Sequence, residues 1–285
     1  MNLTTYENAQ AFLARTQAML ERREAANNLI LGLARRLAGG TPWPGGEPYF
    51  VTVDDGGALV LVGLRTPPNK LILYGEGDVP HDAYALVADA PQARGDTLPG
   101  VLGLPDLAAG FAAVYAERAG VVARPGMRQR IYELRQVEYR PAVPGVMRPA
   151  TVEDEDLVTG WLYAFDAEAL ASGMTEAQAR EAAQRRIAAG ELFIWEDGGP
   201  VSMAGKSRPL PHGIVVNAVY TPPVLRGRGY ASAVVAALSQ ALLDSGYQFC
   251  CLHTDLANPT SNSIYQRIGY HPIADFNEII FTVSA

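Results

Sequence analysis

Gly213-Ile214-Val215-Val216-Asn217-Ala218-Val219-Tyr220-Thr221-Pro222-Pro223-Val224-Leu225-Arg226-Gly227-Arg228-Gly229-Tyr230-Ala231 is the stretch that decides the fold. Its first eight residues are mostly apolar and rich in β-branched side chains, which predicts a buried strand. Pro222-Pro223 ends that strand, because proline cannot donate to a ladder. After Ala231 the period changes: Val234, Val235, Leu238, Ala241 and Leu242 share one face of a helix. Strand, glycine loop and helix together form a unit able to bind phosphate. Glycine tolerates positive φ and lets an anion approach the backbone closely. The N–H groups of the first helical turn then point at that anion, helped by the macrodipole. Arg226 and Arg228 add positive charge.

Three kinds of phosphate loop compete for these residues. A P-loop requires GxxxxGK[ST], and no lysine stands here. A dinucleotide fingerprint requires GxGxxG, whereas Gly227-Arg228-Gly229-Tyr230-Ala231-Ser232 ends in serine, and Pro222 to Leu225 separate the strand from the first glycine. The third kind, R/Q-x-x-G-x-G/A, resembles the coenzyme A loop of the GNAT family of N-acetyltransferases, with Arg226, Gly229 and Ala231 at its fixed positions. A second block follows one strand later. Phe249 to Thr254 reads as that strand. Asn258-Pro259-Thr260-Ser261-Asn262-Ser263-Ile264-Tyr265-Gln266-Arg267-Ile268-Gly269-Tyr270 is similar to the family's N-x-x-(A/S)-x-x-x-Y-x-x-x-G-(F/Y). The resemblance covers residues 147–285 closely and the first half only as a weak echo.

The resemblance implies a fold and a chemistry. The fold class is α/β (α+β): two GNAT-like units, each a mixed, mainly antiparallel sheet flanked by helices. The activity is an acyl-CoA-dependent N-acyltransferase, passing an acetyl group from acetyl-CoA directly to a primary amine. Val219, Tyr220 and Thr221, at the splayed strand end, would pair with pantetheine and polarise the thioester carbonyl. The amides of Arg226, Gly227, Arg228, Gly229, Tyr230 and Ala231 would hold the pyrophosphate. Asn258 would touch the pantetheine arm, although Asn-Pro is equally a helix cap. Tyr265 would protonate the departing thiolate, a task suited to a neutral phenol. A general base is not legible. Family members often place a carboxylate on the strand before the loop, where this chain has Asn217; His212, His253, Glu196 and Asp255 stand near in sequence. Two other readings remain: a GNAT-like module that holds acyl-CoA as a sensor without turnover, and a nucleotide-dependent oxidoreductase, which the failed GxGxxG disfavours.

Outward from this segment the chain echoes itself. Asp54-Asp55-Gly56-Gly57 shifted by 142 residues meets Glu196-Asp197-Gly198-Gly199, and Leu71–Tyr74 meets Gly213–Val216. Each Asp/Gly turn is flanked by β-rich runs, a hairpin signal. Residues 5–38 and 152–188 both read as helix, as do 105–118. The spacing predicts a diverged tandem of one α/β unit, with a degenerate GNAT-like domain over 1–140 and the acetyltransferase domain over 146–285. They would join at the Pro/Gly-rich Arg140 to Gly145. The first half lacks the loop: the same shift places Arg226–Ala231 on Tyr84–Asp89, and the nearby Gly75 to His81 is acidic. It should not bind coenzyme A. The roles left to it are packing against the second half, walling the acceptor cleft, or forming a homodimer contact.

Composition sets the outer limits. The 285 residues suit two domains, and an apolar fraction of 48% supplies two cores. The net charge of -7 lacks the basic surplus of a nucleic-acid binder. Residues 1–140 hold 14 basic and 15 acidic side chains and residues 141–285 hold 9 and 15, which weakly favours a cationic partner for the second half. Cys250 and Cys251 are adjacent and would point to opposite faces of a strand, so no disulfide is expected between them. No spacing suggests a metal site. No apolar run of about 18 residues and no leader-like start occur, so a cytoplasmic protein without membrane or nucleic-acid partners is expected, taking a small-molecule or peptide amine as acceptor.

Overall fold

In the computed structural model, which describes residues 1–93 and 95–283, one order of elements is run through twice. The first run is β1 (Asn2–Tyr6), α1 (Ala9–Glu21), α2 (Asn28–Ala38), β2 (Tyr49–Asp55), β3 (Ala58–Arg65), β4 (Leu71–Tyr74), α3 (His81–Ala93), β5 (Gly100–Gly103), α4 (Pro105–Ala119) and β6 (Val121–Leu134). The second is β7 (Val146–Pro149), α5 (Glu155–Phe165), α6 (Glu176–Ala188), β8 (Leu192–Glu196), β9 (Pro200–Ser207), β10 (Gly213–Tyr220), α7 (Tyr230–Asp244), β11 (Phe249–Asp255), α8 (Pro259–Ile268) and β12 (His271–Val283).

The two expected long helices are each divided. Residues 2–6 instead form a strand, paired antiparallel with β2 from Asn2↔Asp54 to Tyr6↔Phe50. Asn8 then caps α1, its Oδ1 accepting from the N–H of Ala11 at 2.9 Å. Buried Asn27 and Asn28 donate to the carbonyls of Leu20 and Ala25 and separate α1 from α2. In the second run, α5 passes into a wide turn at Asp166–Leu170 and ends at Ala171, whose φ is +48°. The Thr175 hydroxyl and Gln178 side chain form a capping box that restarts the helix as α6.

By compactness the chain divides into residues 1–131 with the segment from Ile273 onward, and residues 132–272. The sequence division gives the C-terminal strand to the second half, yet β12 lies between β5 and β6, with Asn277↔Gly103 to Ile280↔Gly100 in antiparallel register. The first unit's sheet therefore runs β1-β2-β3-β4-β5-β12-β6. In the second unit the order is β11-β10-β9-β8-β7, and the end of β6 from Tyr132 lies beside β11. Most of the pairings are antiparallel, while β4 pairs parallel with β5 and β10 pairs parallel with β11.

Both faces of the second sheet are buried. On one, Ile214, Val216, Cys250 and Leu252 pack against Ala233, Val234 and Leu238 of α7 and Tyr265 and Ile268 of α8. On the other, Ile194, Met203, Ala218 and Tyr220 pack against Val158, Trp161 and Leu162 of α5 and Ala179 and Ala183 of α6. Among the described residues no helix is long and apolar enough to cross a membrane.

The shift between like elements is not constant. It is 142 residues from β4 to β10 (71 to 213) and 149 from α3 to α7 (81 to 230). The difference falls where β10 is longer than β4, 8 residues against 4, and where the loop into α7 is longer than the loop into α3. Hence the counterpart of the glycine loop is Gly75–Pro80, whereas Tyr84–Asp89 lies inside α3. That counterpart carries its own carboxylate: Glu76 accepts from Arg22 at 2.7 Å and from the Tyr74 hydroxyl at 2.9 Å.

Candidate active site

The site begins where β10 and β11 part. Their parallel register holds for Gly213↔Phe249, Ile214↔Cys250 and Val215↔Cys251. Toward β9 the register continues to Asn217↔Gly205 and then shifts, resuming at Tyr220↔Met203. Ala218 and Val219 thus oppose Ala204 alone, a bulge that bends the strand carrying it. Ala218 adopts φ +50°, a left-handed conformation uncommon for a residue with a Cβ. The strand end beyond it is pinned. Ser202 Oγ donates to the Tyr220 carbonyl at 3.0 Å and is hydrogen-bonded to the Thr221 hydroxyl at 2.8 Å. Arg226 Nε donates to the Thr221 carbonyl at 2.9 Å.

The glycine loop follows a single turn at Pro223–Leu225. The Arg226 N–H donates to the Pro223 carbonyl at 3.2 Å, so the first amide of the loop is already used. Gly227 and Gly229 stand at φ +77° and +88°. A Cβ on Gly229 would lie 2.9 Å from Val143 Cγ1. Gly229 is also the residue before α7, and having no side chain it caps nothing. The first intrahelical bond runs from the Ala233 N–H to the Gly229 carbonyl at 3.0 Å. The N–H groups of Tyr230, Ala231 and Ser232 therefore have no acceptor within the helix. No acidic residue occupies the first turn of α7, whereas Asp82 stands in the first turn of α3. An exposed arginine, Arg228, lies between the two glycines. These features fit a pyrophosphate: unsatisfied donors, close backbone access and no competing carboxylate in the helical turn.

Arg226 does something the sequence did not reveal. Its Nη2 donates to Glu168 at 2.5 Å, and its guanidinium lies 5.7 Å from the Tyr220 ring centroid. The Tyr220 hydroxyl donates to the same carboxylate at 3.3 Å. Burial, with Glu168 nearby, raises the Tyr220 phenol. Arg226 thus braces the strand end. Tyr230 turns its ring into the core, and its hydroxyl donates to Asp197 at 2.7 Å.

Asn258 caps α8, accepting from the Ser261 N–H at 3.0 Å. One helical turn in, Tyr265 is buried among Tyr132 and Tyr270, with ring centroids 6.4 and 5.9 Å away. Tyr132 bonds Asn262 and Gln266, and Tyr270 bonds Ser239. The Tyr265 hydroxyl, by contrast, has no hydrogen-bond partner among the described residues. Burial pushes its phenol up to about 12.

Of the four residues near in sequence, Glu196, Asp255 and His253 are engaged or buried. Glu196 is ion-paired with Arg148. Asp255 accepts from the Ala257 N–H in the turn before α8. His253 is lowered to about 3, by burial first and then by Arg208. His212 is exposed, beside the start of β10. Asn217 is engaged at both ends, accepting from Arg186 at 2.7 Å and donating to Ser207 at 2.7 Å.

Comparison with known proteins bears on the fold. Residues 196–279 match the family described as FR47-like protein. No curated protein matches the chain. Among solved structures, a protein from Drosophila is similar over 99% of both chains at 12% identity, with a TM-score of 0.67. A GNAT-family acetyltransferase from Colwellia psychrerythraea is similar over 99% of this chain and 100% of its own, at 14% identity and a TM-score of 0.59. A tandem GNAT protein from the clavulanic acid biosynthesis pathway covers 99% of this chain and 98% of its own, at 14% identity and a TM-score of 0.59. The chain has the tandem GNAT fold over its whole length.

Proposed function

We propose that residues 132–272 carry an acyl-CoA-dependent N-acyltransferase, in its simplest form an N-acetyltransferase acting on a primary amine. The observation that carries this reading is the start of α7. Three first-turn N–H groups lie open behind two positive-φ glycines, at the point where two parallel strands separate. Coenzyme A would lay its pyrophosphate on the amides of Gly227 to Ala231 and its pantetheine along Val219, Tyr220 and Thr221. The bound thioester supplies the acyl group. Backbone donors along that strand edge would favour the negative charge that develops on its carbonyl oxygen. The amine nitrogen forms a bond to the carbonyl carbon, the carbon–sulfur bond breaks, and Tyr265 gives its hydroxyl proton to the sulfur. The amine sheds its own proton to water.

Transfer is direct in this reading. An acyl-cysteine intermediate would need a thiolate, and burial pushes the Cys250 thiol up to about 12. The first unit is a non-binding copy, since a carboxylate, Glu76, stands in its corresponding loop. A sensor without turnover is the second reading, favoured by one observation: Asn217 stands on β10 with both ends of its amide already bonded. Thiol release from acetyl-CoA across a panel of amines separates the two. Amine-dependent release supports the enzyme, and tight binding without release with any amine supports the sensor.

Asn258 is assigned to the pantetheine arm as well as to the cap. Serine keeps the cap, so Asn258→Ser should leave the melting temperature unchanged while weakening acetyl-CoA binding about threefold to tenfold, the worth of one hydrogen bond. Asn258→Ala should in addition cost about 1 kcal/mol of stability. Full affinity in the serine variant, measured by calorimetry, would leave Asn258 with the cap alone.

A further inference from the structure

Glu168 lies in the irregular turn at Asp166–Leu170, between α5 and α6. The turn is built to keep its shape. Asp166 is buried and accepts from the Ser172 hydroxyl and, at 3.1 Å, from the Met174 N–H. Ala171 closes the turn in the left-handed region, a conformation that persists where its surroundings enforce it. Glu168 is thereby held against the end of β10, where its two oxygens take the Tyr220 hydroxyl and Arg226 Nη2. Arg226 in turn donates Nε to the Thr221 carbonyl, and Ser202 donates to the Tyr220 carbonyl. A peptide unit is planar, so fixing its carbonyl fixes the whole unit. The two bonds thus set both peptide planes that flank Thr221, just beyond the bulge at Ala218 and Val219.

The first unit makes the same three-part contact with the signs exchanged. There the charge between the two helices is Arg22, the charge in the loop is Glu76, and the strand-end tyrosine is Tyr74. Arg22 Nη2 donates to Glu76 at 2.7 Å, and the Tyr74 hydroxyl donates to it at 2.9 Å. Complementarity survives the reversal of both charges, so the fold uses the contact rather than either charge. The polarity still matters. A carboxylate has no donor, so Glu76 cannot hold a strand-end carbonyl as Arg226 does. We infer that Glu168 is a positioning residue of the transferase site: it orients the Arg226 guanidinium, which holds the Thr221 carbonyl, and so fixes the strand end that receives the thioester. This rests on the transferase reading above. Stability is not its purpose, since the Glu168 and Arg226 side chains are 44% and 47% exposed and a surface ion pair contributes little.

The test reads the thioester carbonyl itself, by infrared difference spectroscopy of bound acetyl-CoA that is isotope-labelled at that carbon. Wild type should move the carbonyl stretch to lower frequency than in water, because aligned donors polarise the bond. Glu168→Ala should lose most of that shift and, with any amine that is acetylated, about tenfold in kcat, while the acetyl-CoA Kd and the melting temperature stay unchanged. Glu168→Gln, which still offers Arg226 an oxygen, should keep most of both the shift and kcat. An alanine variant with the full shift overturns the inference, as does one that unfolds or no longer binds acetyl-CoA. A glutamine variant as impaired as the alanine variant also overturns it, since the carboxylate's charge would then act directly. So does a wild-type protein that binds acetyl-CoA without any shift, because its strand end does not polarise the thioester. If no amine in the panel is acetylated, the shift alone decides. A folded wild type that fails to bind acetyl-CoA overturns the transferase reading instead.

Discussion

Gly229→Asp should abolish acetyl-CoA binding, raising Kd about 100-fold or more, and leave the chain folded. The residue holds φ +88°, where an L side chain costs about 1–2 kcal/mol. Its Cβ would meet Val143 Cγ1 at 2.9 Å, a contact that a small shift of a valine methyl relieves. As an N-cap, aspartate exceeds glycine by only a few tenths of a kcal/mol, and capping uses an extended backbone, whereas residue 229 is left-handed. The strain therefore stays as a modest cost in stability. The new carboxylate puts a negative charge where the pyrophosphate would lie. Losing about 3 kcal/mol of binding corresponds to roughly 100-fold in Kd. Gly229→Ala separates the terms, keeping the strain and adding no charge, and should weaken binding far less. Calorimetry on both variants, with circular dichroism to verify folding, checks this. Undiminished affinity in the aspartate variant would remove the loop from the site.

Tyr265→Phe should preserve acetyl-CoA binding and lower turnover about 10²- to 10⁴-fold, the usual contribution of a positioned general acid. The substitution removes only a hydroxyl with no partner among the described residues. The ring remains between Tyr132 and Tyr270, so stability should change little. The pH dependence follows from burial, which pushes the phenol from 10 up to about 12. A raised value means that the fold favours the neutral form. That contribution to stability is complete below pH 10 and is lost as pH rises through about 12. Tyr265 accordingly remains a proton donor through pH 10, and wild-type turnover should show no alkaline fall from this group below about pH 11. Full turnover in the phenylalanine variant would remove Tyr265 as the acid.

What could be read without coordinates was local. The strand before Pro222-Pro223, the glycine loop and the helix after it are each set by neighbours in sequence, and they stand where the pattern puts them. Asn258 was legible as a cap for the same reason. The misread features depend on distant partners. Nothing in Asn2–Tyr6 announces a strand until β2 offers it an edge. The place of β12 beside β5 is set by pairing across more than 170 residues. The fixed shift of 142 failed because extra residues entered at the site itself, lengthening β10 and the loop. The pairing of Arg226 with Glu168 was not legible either, because Glu168 lies 58 residues away in an irregular turn. The contact between Arg186 and Asn217 left one trace in sequence, Gly205 within β9, where a missing side chain often marks a close approach.

The central claim is one acyl-CoA site per chain, in residues 132–272, and calorimetric titration of the purified protein with acetyl-CoA tests it most directly. Saturation at one equivalent, with no heat from NAD, is the expected result. Two equivalents would show that the first unit binds as well, against the carboxylate in its loop. No binding by the folded protein would contradict the account.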